Sequence, residues 1–323
     1  MMGSATTLAM ATVNWTEQSL EVSGPQGPLR GTLTRPGEGL RPEAAVLIVP
    51  GSGPTDRDGN NPLGVKAGPY RRLAHALGAQ NIATLRIDKR GLFGSAGAVP
   101  DPNAVTVADY VHDVRAWASR LREETDRPCV WLLGHSEGGV VALAAAQQPE
   151  GLCGVLLLAA PGQPVGQVLR DQLHANPANA PLLPQAMQAI ATLEAGRRVD
   201  PMLLHPALQP LFAAPVQPFL IDLFRHDPAG LAARVRLPLL IAQGGHDLQV
   251  APDEARRLHE AAPWARVLDL PRANHVLSDV PADDPAANLA SYGRDDQPLA
   301  KGLLEGIVAF LRTPGAAPNA GPQ

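Results

Sequence analysis

A serine lies between glycines in the stretch Gly134-His135-Ser136-Glu137-Gly138-Gly139. An apolar run at 130–133 precedes this stretch and a segment rich in alanine and valine follows it, which predicts a strand, a sharp turn and a helix. In a G-x-S-x-G sequence of that setting, the turn leaves the serine hydroxyl exposed beside the N-terminal amides of the helix. We therefore predict Ser136 as a nucleophile for acyl transfer.

A serine hydroxyl attacks only when a base takes its proton, and an acid must orient that base. Asp247 follows an apolar run at 237–242 through a Gly-Gly-His turn. His275 follows a second run at 266–270 through Pro-Arg-Ala-Asn. The chain order serine, aspartate, histidine is the one expected for this type of nucleophile turn. The spacing predicts a catalytic triad of Ser136, Asp247 and His275.

Other histidines and acids fit these two roles less well. His135 is next to the nucleophile and is expected to point away from it, and His246 is expected to be a loop residue beside Asp247. The remaining candidates are expected in helices, within a strand or too early in the chain: His75, His112, His259, Asp222, Asp227 and Asp269.

A glycine-rich loop, VPGSGPTDRDGN at 49–60, follows another apolar run. An acyl-transfer site needs two N–H donors for its oxyanion, and we predict the backbone N–H groups of Ser52 and Glu137. The glycines allow the backbone to approach the site closely. Hydrogen bonds that brace the loop are an equally open role for its polar side chains. Residues that could line the site are Gly51, Gly53, Asp56, Arg57 and Asp58.

The same loop does not fit three other kinds of binding site. A calcium loop beginning at Asp56 needs glycine at its sixth position and glutamate at its twelfth, where Asn61 and Ala67 stand. A phosphate-binding loop needs Gly-Lys-Ser/Thr, and a dinucleotide loop needs a third glycine at position 56. We predict that the protein uses no metal and no organic cofactor.

The segments around these residues alternate between apolar runs and amphipathic stretches. They predict an α/β fold whose mostly parallel, eight-stranded sheet is flanked by helices. In such a sheet, functional groups gather at the carboxyl ends of the strands, where the three triad residues fall. The predicted strands are 20–23, 29–35, 44–49, 82–87, 129–133, 155–159, 237–242 and 266–270, and the predicted helices are 70–77, 107–124, 139–146, 252–262 and 299–311.

The predicted core consists of residues 20–160 and 237–312. The proline-rich segment 161–236 leaves after one core strand and returns before the next, which predicts an inserted helical cap over the site. Residues 1–19 are expected to form a flexible leader, and residues 313–323, mostly Pro, Gly and Ala, a disordered tail.

Bulk composition narrows the class of protein. Of the 323 residues, 45% are apolar, and the net charge is −4 with no basic cluster, which disfavours a nucleic-acid partner. No apolar run reaches the length of a membrane span, and the N-terminus lacks a convincing signal peptide, so we expect a cytoplasmic location, with export still open. Cys129 and Cys153 lie in apolar runs and are expected to be buried free thiols. The oligomeric state is not predicted.

Over roughly residues 25–312 the chain resembles the α/β-hydrolases, and among them a bacterial carboxylesterase or serine-aminopeptidase-like branch. The resemblance rests on G-x-S-x-G at 134–138, on Asp247 and on Asn274-His275. It also rests on RIDKRGLFGS at 86–95, which is similar to the family's D-x-R-G-x-G-x-S with its second glycine one place later. The sequence departs from the family where Pro50-Gly51 replaces the common His-Gly.

The resemblance implies a serine hydrolase that cleaves small to medium acyl esters through an acyl-enzyme, with a small-molecule substrate. An aminopeptidase-like amide hydrolase stays open, with Asp222 or Asp227 as the only nearby acids for a substrate amine. Thioester hydrolysis also stays open. A hydrolase-like binding protein without catalysis is the alternative from another class.

Overall fold

The computed structural model describes residues 15–37, 39–282 and 284–313. One sheet contains eight strands in the order β1-β2-β4-β3-β5-β6-β7-β8. Strands β1 and β2 are antiparallel, β2 is antiparallel to β4, and all other neighbours are parallel. This confirms the predicted mostly parallel, eight-stranded sheet. The strands are β1 (Trp15–Ser23), β2 (Pro28–Pro36), β3 (Ala44–Val49), β4 (Ile82–Ile87), β5 (Val130–His135), β6 (Leu152–Leu158), β7 (Leu239–Gly244) and β8 (Arg266–Leu270).

Helices cover both faces of this sheet. One apolar core lies under the helices at 107–125 and 137–145, and a second core on the opposite face lies under those at 69–78 and 303–312. Short 3-10 turns occur at Phe93–Ala98, Pro177–Asn179 and Pro201–Leu203. The helices are α1 (Pro69–Gly78), α2 (Val107–Thr125), α3 (Glu137–Ala145), α4 (Val165–Ala175), α5 (Leu183–Glu194), α6 (Gln217–Leu223), α7 (Pro228–Arg234), α8 (Pro252–Ala261), α9 (Pro285–Ser291) and α10 (Leu303–Arg312).

The central strands explain why the sequence alternates as it does. Every residue of β3, β5 and β7 is buried, because helices cover these strands on both faces. The edge strand β8 has mostly exposed residues instead. The three apolar runs that precede the glycine-rich loop, Ser136 and Asp247 are therefore the buried centre of the sheet.

The predicted helical insertion is present between β6 and β7. It contains α4 to α7 and has a small apolar core of its own, which includes Ile190, Leu193 and Phe212. Helix α7 packs against α3 and α8, so the insertion rests on the helical layer of the main core.

The predicted flexible leader 1–19 is wrong for residues 15–19. These residues belong to β1, where Trp15 pairs with Pro36 and Ser19 with Thr32. The segment WTEQS is mostly polar because it lies at the exposed edge of the sheet, so it carries no apolar strand signal. The rest of the leader, and residues 314–323 of the predicted tail, lie outside the described residues.

The prediction of free thiols is also wrong. Cys129 and Cys153 form a disulfide, with their Cα atoms 5.2 Å apart. Cys129 directly precedes β5 and Cys153 lies near the start of β6, so parallel pairing of these strands brings the two together. A lasting disulfide is more typical of an oxidising compartment, and the cytoplasmic location stays a prediction.

Within the described part of the chain, none of the helices has the length and apolar character that crossing a bilayer requires.

Candidate active site

Ser136 stands at the sharp turn between β5 and α3. Its φ of 54° and ψ of −128° are dihedrals that residues with a Cβ rarely adopt. Close packing enforces the turn: a Cβ on Gly138 would lie 2.3 Å from the Val49 carbonyl oxygen, and one on Gly134 would lie 2.4 Å from the Gly138 carbonyl oxygen. Only glycine fits at positions 134 and 138, which explains the glycines two residues before and two residues after Ser136.

Asp247 and His275 meet at the carboxyl ends of β7 and β8. The Nδ1 of His275 and the Oδ2 of Asp247 are 2.8 Å apart, and both residues are buried. The other carboxylate oxygen of Asp247 accepts hydrogen bonds from the N–H groups of Gln249 and Val250. The carboxylate therefore holds the imidazole with Nδ1 protonated, which leaves Nε2 to accept a proton.

Helix α9 joins the loops that carry these two residues. The side-chain amide of Asn274 donates to Asn288 and to Ser291, and the amide of Asn288 donates to the His246 carbonyl. These hydrogen bonds thus connect Asn274, which precedes His275, with His246, which precedes Asp247. The sequence analysis did not predict α9, whose seven residues, PAANLAS, are too few to show a clear periodicity.

Ser136 and His275 face one narrow cavity of about 70 Å³. Among the described residues, no hydrogen bond joins the Ser136 hydroxyl to the imidazole; in enzymes without substrate this contact is often long and tightens on binding. The cavity is lined by Gly51, Ser52, Thr55, Gly59, Asn61, Val65, Pro69, Tyr70, His135, Ser136, Gln249, His275, Val276 and Tyr292.

The two residues predicted to supply oxyanion donors are close to Ser136: Glu137 follows it in the chain, and Ser52 lines the same cavity. A Cβ on Gly51 would be 3.2 Å from the Cβ of Ser136, so the loop after β3 passes directly beside the serine. Within residues 15–37, 39–282 and 284–313, the N–H groups of Ser52 and Glu137 have no hydrogen-bond acceptor. Two backbone donors without an acceptor beside the half-buried Ser136 are consistent with the predicted oxyanion hole.

Comparison with known proteins assigns the family. Over residues 46–291 the chain matches the Alpha/beta hydrolase family. The chain belongs to this family. It is also 30% identical over 241 residues to the esterase EstD of Thermotoga maritima, a match that covers 72% of this chain and 52% of EstD. The chain thus spans about half the length of this curated relative.

Two solved structures have the same fold as this α/β-hydrolase. The esterase domain of a Rhodothermus marinus protein superimposes with a TM-score of 0.53 at 21% identity, covering 92% of this chain and 98% of that domain. A puromycin-hydrolyzing peptidase of Mycobacterium tuberculosis superimposes with a TM-score of 0.57 at 18% identity, covering 96% of this chain and 41% of the peptidase. At these identities the likeness concerns the fold alone.

The polar loop residues of this α/β-hydrolase brace the loop. Of the residues considered as site-lining, Gly51 borders the cavity that contains Ser136, and four others do not: Gly53, Asp56, Arg57 and Asp58. Asp56 accepts from the N–H groups of Asp58 and Asn60, Arg57 pairs with Asp88, and Asp58 pairs with Arg86. These side chains form hydrogen bonds within the loop and ion pairs with Arg86 and Asp88, which agrees with the alternative that they brace the loop.

His135, which we expected to point away from the site, lines the cavity and makes two hydrogen bonds. Its Nε2 lies 2.9 Å from the His275 carbonyl oxygen, so this nitrogen must be the donor. Its Nδ1 then accepts from the Tyr70 hydroxyl at 2.8 Å, and that hydroxyl accepts from the Gly51 N–H at 3.0 Å. Burial, and next the nearby His275, lower the pKa of His135 to about 3. The neutral ring thus connects the loop after β3, through Tyr70 and Gly51, to the loop of His275.

Residues 161–236 contribute none of the cavity-lining side chains. Helix α4 does reach the neighbourhood, since the Gln172 side-chain amide donates to the Gln249 carbonyl at 2.6 Å. The walls come instead from the loop after β3 and from Tyr292, whose pKa burial raises to about 12. Sequence reasoning missed Tyr70 and Tyr292, because a single tyrosine in a helix start or a loop carries no local signal.

No cluster of three or more His, Cys, Asp or Glu side chains with the geometry to hold a metal ion occurs in the described ranges.

Proposed function

We propose that this α/β-hydrolase is a serine esterase that cleaves esters of short carboxylic acids. The observation that carries the proposal is the 2.8 Å contact between Asp247 and His275 at a cavity shared with the strained Ser136. The likeness to the esterase EstD supports the same activity.

In the proposed reaction, Nε2 of His275 takes the proton of the Ser136 hydroxyl as its oxygen attacks the ester carbonyl. The negative charge that develops on the carbonyl oxygen is bound by the N–H groups of Ser52 and Glu137. The buried Asp247 carboxylate stabilises the imidazolium, which then protonates the leaving alcohol. Water hydrolyses the acyl-enzyme by the same steps, with His275 again as the base.

The size of the cavity favours a short acyl group. Sites for drug-sized ligands measure about 300–1,000 Å³, whereas this cavity measures about 70 Å³. Gly51, Tyr70 and Tyr292 confine the space next to Ser136. We expect acetyl and propionyl esters to fit, and long acyl chains to require displacement of the surrounding loops.

An aminopeptidase-like activity has less support from the site. Within the described residues, no aspartate or glutamate lines the cavity, so a substrate amine would find no carboxylate there. Asp222, one of the two acids considered for that role, accepts instead from the Val107 N–H at the start of α2. The cavity offers no comparable argument against a thioester.

The test is hydrolysis of p-nitrophenyl esters from acetate to palmitate, beside a panel of aminoacyl-p-nitroanilides. Wild type is compared with Ser136→Ala and with a matched control, Ser119→Ala, at an exposed position on α2. We expect fastest turnover of the shortest esters, a loss of at least about 10⁴-fold in kcat for Ser136→Ala, and wild-type activity in the control.

Other results would contradict the proposal. Turnover of anilides with little turnover of esters would make the protein an amide hydrolase. A chain-length optimum at palmitate would refute the short acyl site. Ester turnover that persists in Ser136→Ala, or no turnover together with no labelling of Ser136 by a fluorophosphonate, would refute the serine mechanism.

A further inference from the structure

Lys89 is a buried charged residue for which the proposed mechanism has no use. Its side chain is 8% exposed, and Lys89 directly follows Asp88, the first residue after β4. Its Nζ donates to the Gly51 carbonyl oxygen at 2.7 Å and lies 3.8 Å from Oε1 of Glu137, which is 6% exposed. A lysine is almost never buried unless it is paired, because removing its charge from water is costly.

The hydrogen bond from Lys89 acts on the peptide group that carries a proposed oxyanion donor. No cis peptide bond occurs in the described residues, so the Gly51 carbonyl and the Ser52 N–H point in opposite directions across one planar group. Whatever holds the Gly51 oxygen therefore sets the direction of the Ser52 N–H. The Gly51 N–H is held too, by the Tyr70 hydroxyl at 3.0 Å.

We propose that Lys89 is a positioning residue for the oxyanion hole: by binding the Gly51 carbonyl, it aims the Ser52 N–H at the carbonyl oxygen of the substrate. Glu137 supplies the counter-charge, and its own backbone N–H is the second donor. The contact between the Lys89 and Glu137 side chains thus links the two residues that hold or supply the proposed oxyanion donors. This inference rests on the proposed serine esterase function.

The acidic residues around Lys89 indicate that Glu137 is its partner. Asp88 and Asp113 line the same small interior cavity, but Asp88 pairs with Arg57 and Asp113 with Arg90. Burial lowers the pKa of Lys89 and raises the pKa of Glu137, and each charge opposes the shift of the other. A charged donor on the Gly51 oxygen also polarises the peptide, which makes the Ser52 N–H a stronger donor.

The test replaces Lys89 by methionine, which keeps the length of the side chain and removes its charge. Oxyanion stabilisation acts in the transition state and not in the bound ester, so we expect kcat to fall and KM to stay nearly constant. A fall of about 10- to 100-fold is expected, smaller than the 10²- to 10³-fold typical of deleting one donor. Lys301→Met, at an exposed lysine, is the matched control and keeps wild-type kinetics.

An alkyl trifluoromethyl ketone gives a readout that a merely structural role would not move. Its adduct with a serine carries an oxyanion, so its inhibition constant should rise in Lys89→Met by the same factor as kcat falls. Because Lys89→Met leaves Glu137 buried without a partner, the double variant Lys89→Met/Glu137→Gln is measured as well. It should regain stability but keep the low kcat.

Two outcomes would overturn the inference. Wild-type kcat and inhibitor affinity in either folded Lys89 variant would reduce Lys89 to a packing role, while Ser136-dependent ester hydrolysis by wild type would leave the esterase proposal intact. Absence of Ser136-dependent hydrolysis in wild type would remove the esterase proposal and this inference with it.

Discussion

Two histidines at the site are in contact, and their surroundings give them different roles. The rings of His135 and His275 are 4.6 Å apart between centroids. His275 forms a hydrogen bond with the Asp247 carboxylate, which orients the imidazole for its proposed role as the general base. His135 has both nitrogens occupied by Tyr70 and by the His275 carbonyl. It therefore connects two loops as a neutral ring and has no part in the proposed proton transfer.

Replacing His135 by glutamine should flatten the dependence of stability on pH. The pKa of His135 is about 3 in the folded protein and 6.5 ordinarily, so between these values only the unfolded chain binds the proton. The contribution of the neutral His135 ring to the free energy of unfolding is fully present above pH 6.5. It is lost as the pH falls toward 3, by up to about 1.4 kcal/mol per pH unit. Urea unfolding of wild type and His135→Gln at several pH values measures the difference.

The control for this measurement is His112→Gln, which removes an exposed histidine on α2. Its unfolding free energy should follow the wild-type curve between pH 6.5 and 4. Parallel curves for wild type and His135→Gln over that range would show that His135 titrates normally in the folded state.

At the scale of elements, the site depends on the close approach of α3 to the end of β3. This approach places the loop after β3 beside Ser136 and brings Gly138 under the carbonyl groups of Val49 and Pro50. Gly138 of the G-x-S-x-G motif is therefore needed for the packing of α3 against the end of β3, and not only for the turn at Ser136. Backbone atoms surround it, so a larger side chain cannot be accommodated by a rotamer change.

Gly138→Ala should lower the unfolding free energy by about 1–3 kcal/mol, because its Cβ would lie 2.3 Å from the Val49 oxygen. Ester turnover should fall as well, since the displaced loop carries Ser52. Gly97→Ala is the matched control, because nothing lies within 4 Å of a Cβ there. Equal urea midpoints for the two variants would contradict the close packing.

At the scale of the whole molecule, the disulfide and the candidate site lie at opposite ends of the central strands. Cys129 and Cys153 join the beginnings of β5 and β6, whereas Ser136 follows the end of β5. The bond closes a loop with a sequence separation of 24 residues, and its effect is to restrict the unfolded chain. It should therefore matter for stability and not for chemistry.

The double variant Cys129→Ala/Cys153→Ala should lose about 3 kcal/mol of unfolding free energy and keep wild-type kcat at 25 °C. Dithiothreitol should lower the Tm of wild type toward that of the variant and leave the variant unchanged. Thiol titration of the unfolded wild type without reductant should find no free thiol, and two titratable thiols would show that the bond does not form.

Much of this fold was predictable because its signals are local. Strands β3 and β4 begin and end where the apolar runs predicted, and α2 agrees to within one residue, because buried strands and amphipathic helices leave characteristic apolar patterns. The motif around Ser136 is equally local, since glycine is required where backbones touch. The edge strand β1 and the short helix α9 leave weak patterns, so the former was predicted too short and the latter was missed.

The sequence alone determined the family, the sheet with its inserted helices, and which serine, aspartate and histidine to consider, because residue types at fixed spacings record the needs of strands, turns and chemistry. Only the tertiary structure decided which distant residues meet: Lys89 at the Gly51 carbonyl, Tyr70 at His135, and Cys129 at Cys153. These contacts depend on strand order and register, which are set by packing of the whole chain and leave no mark on any single segment.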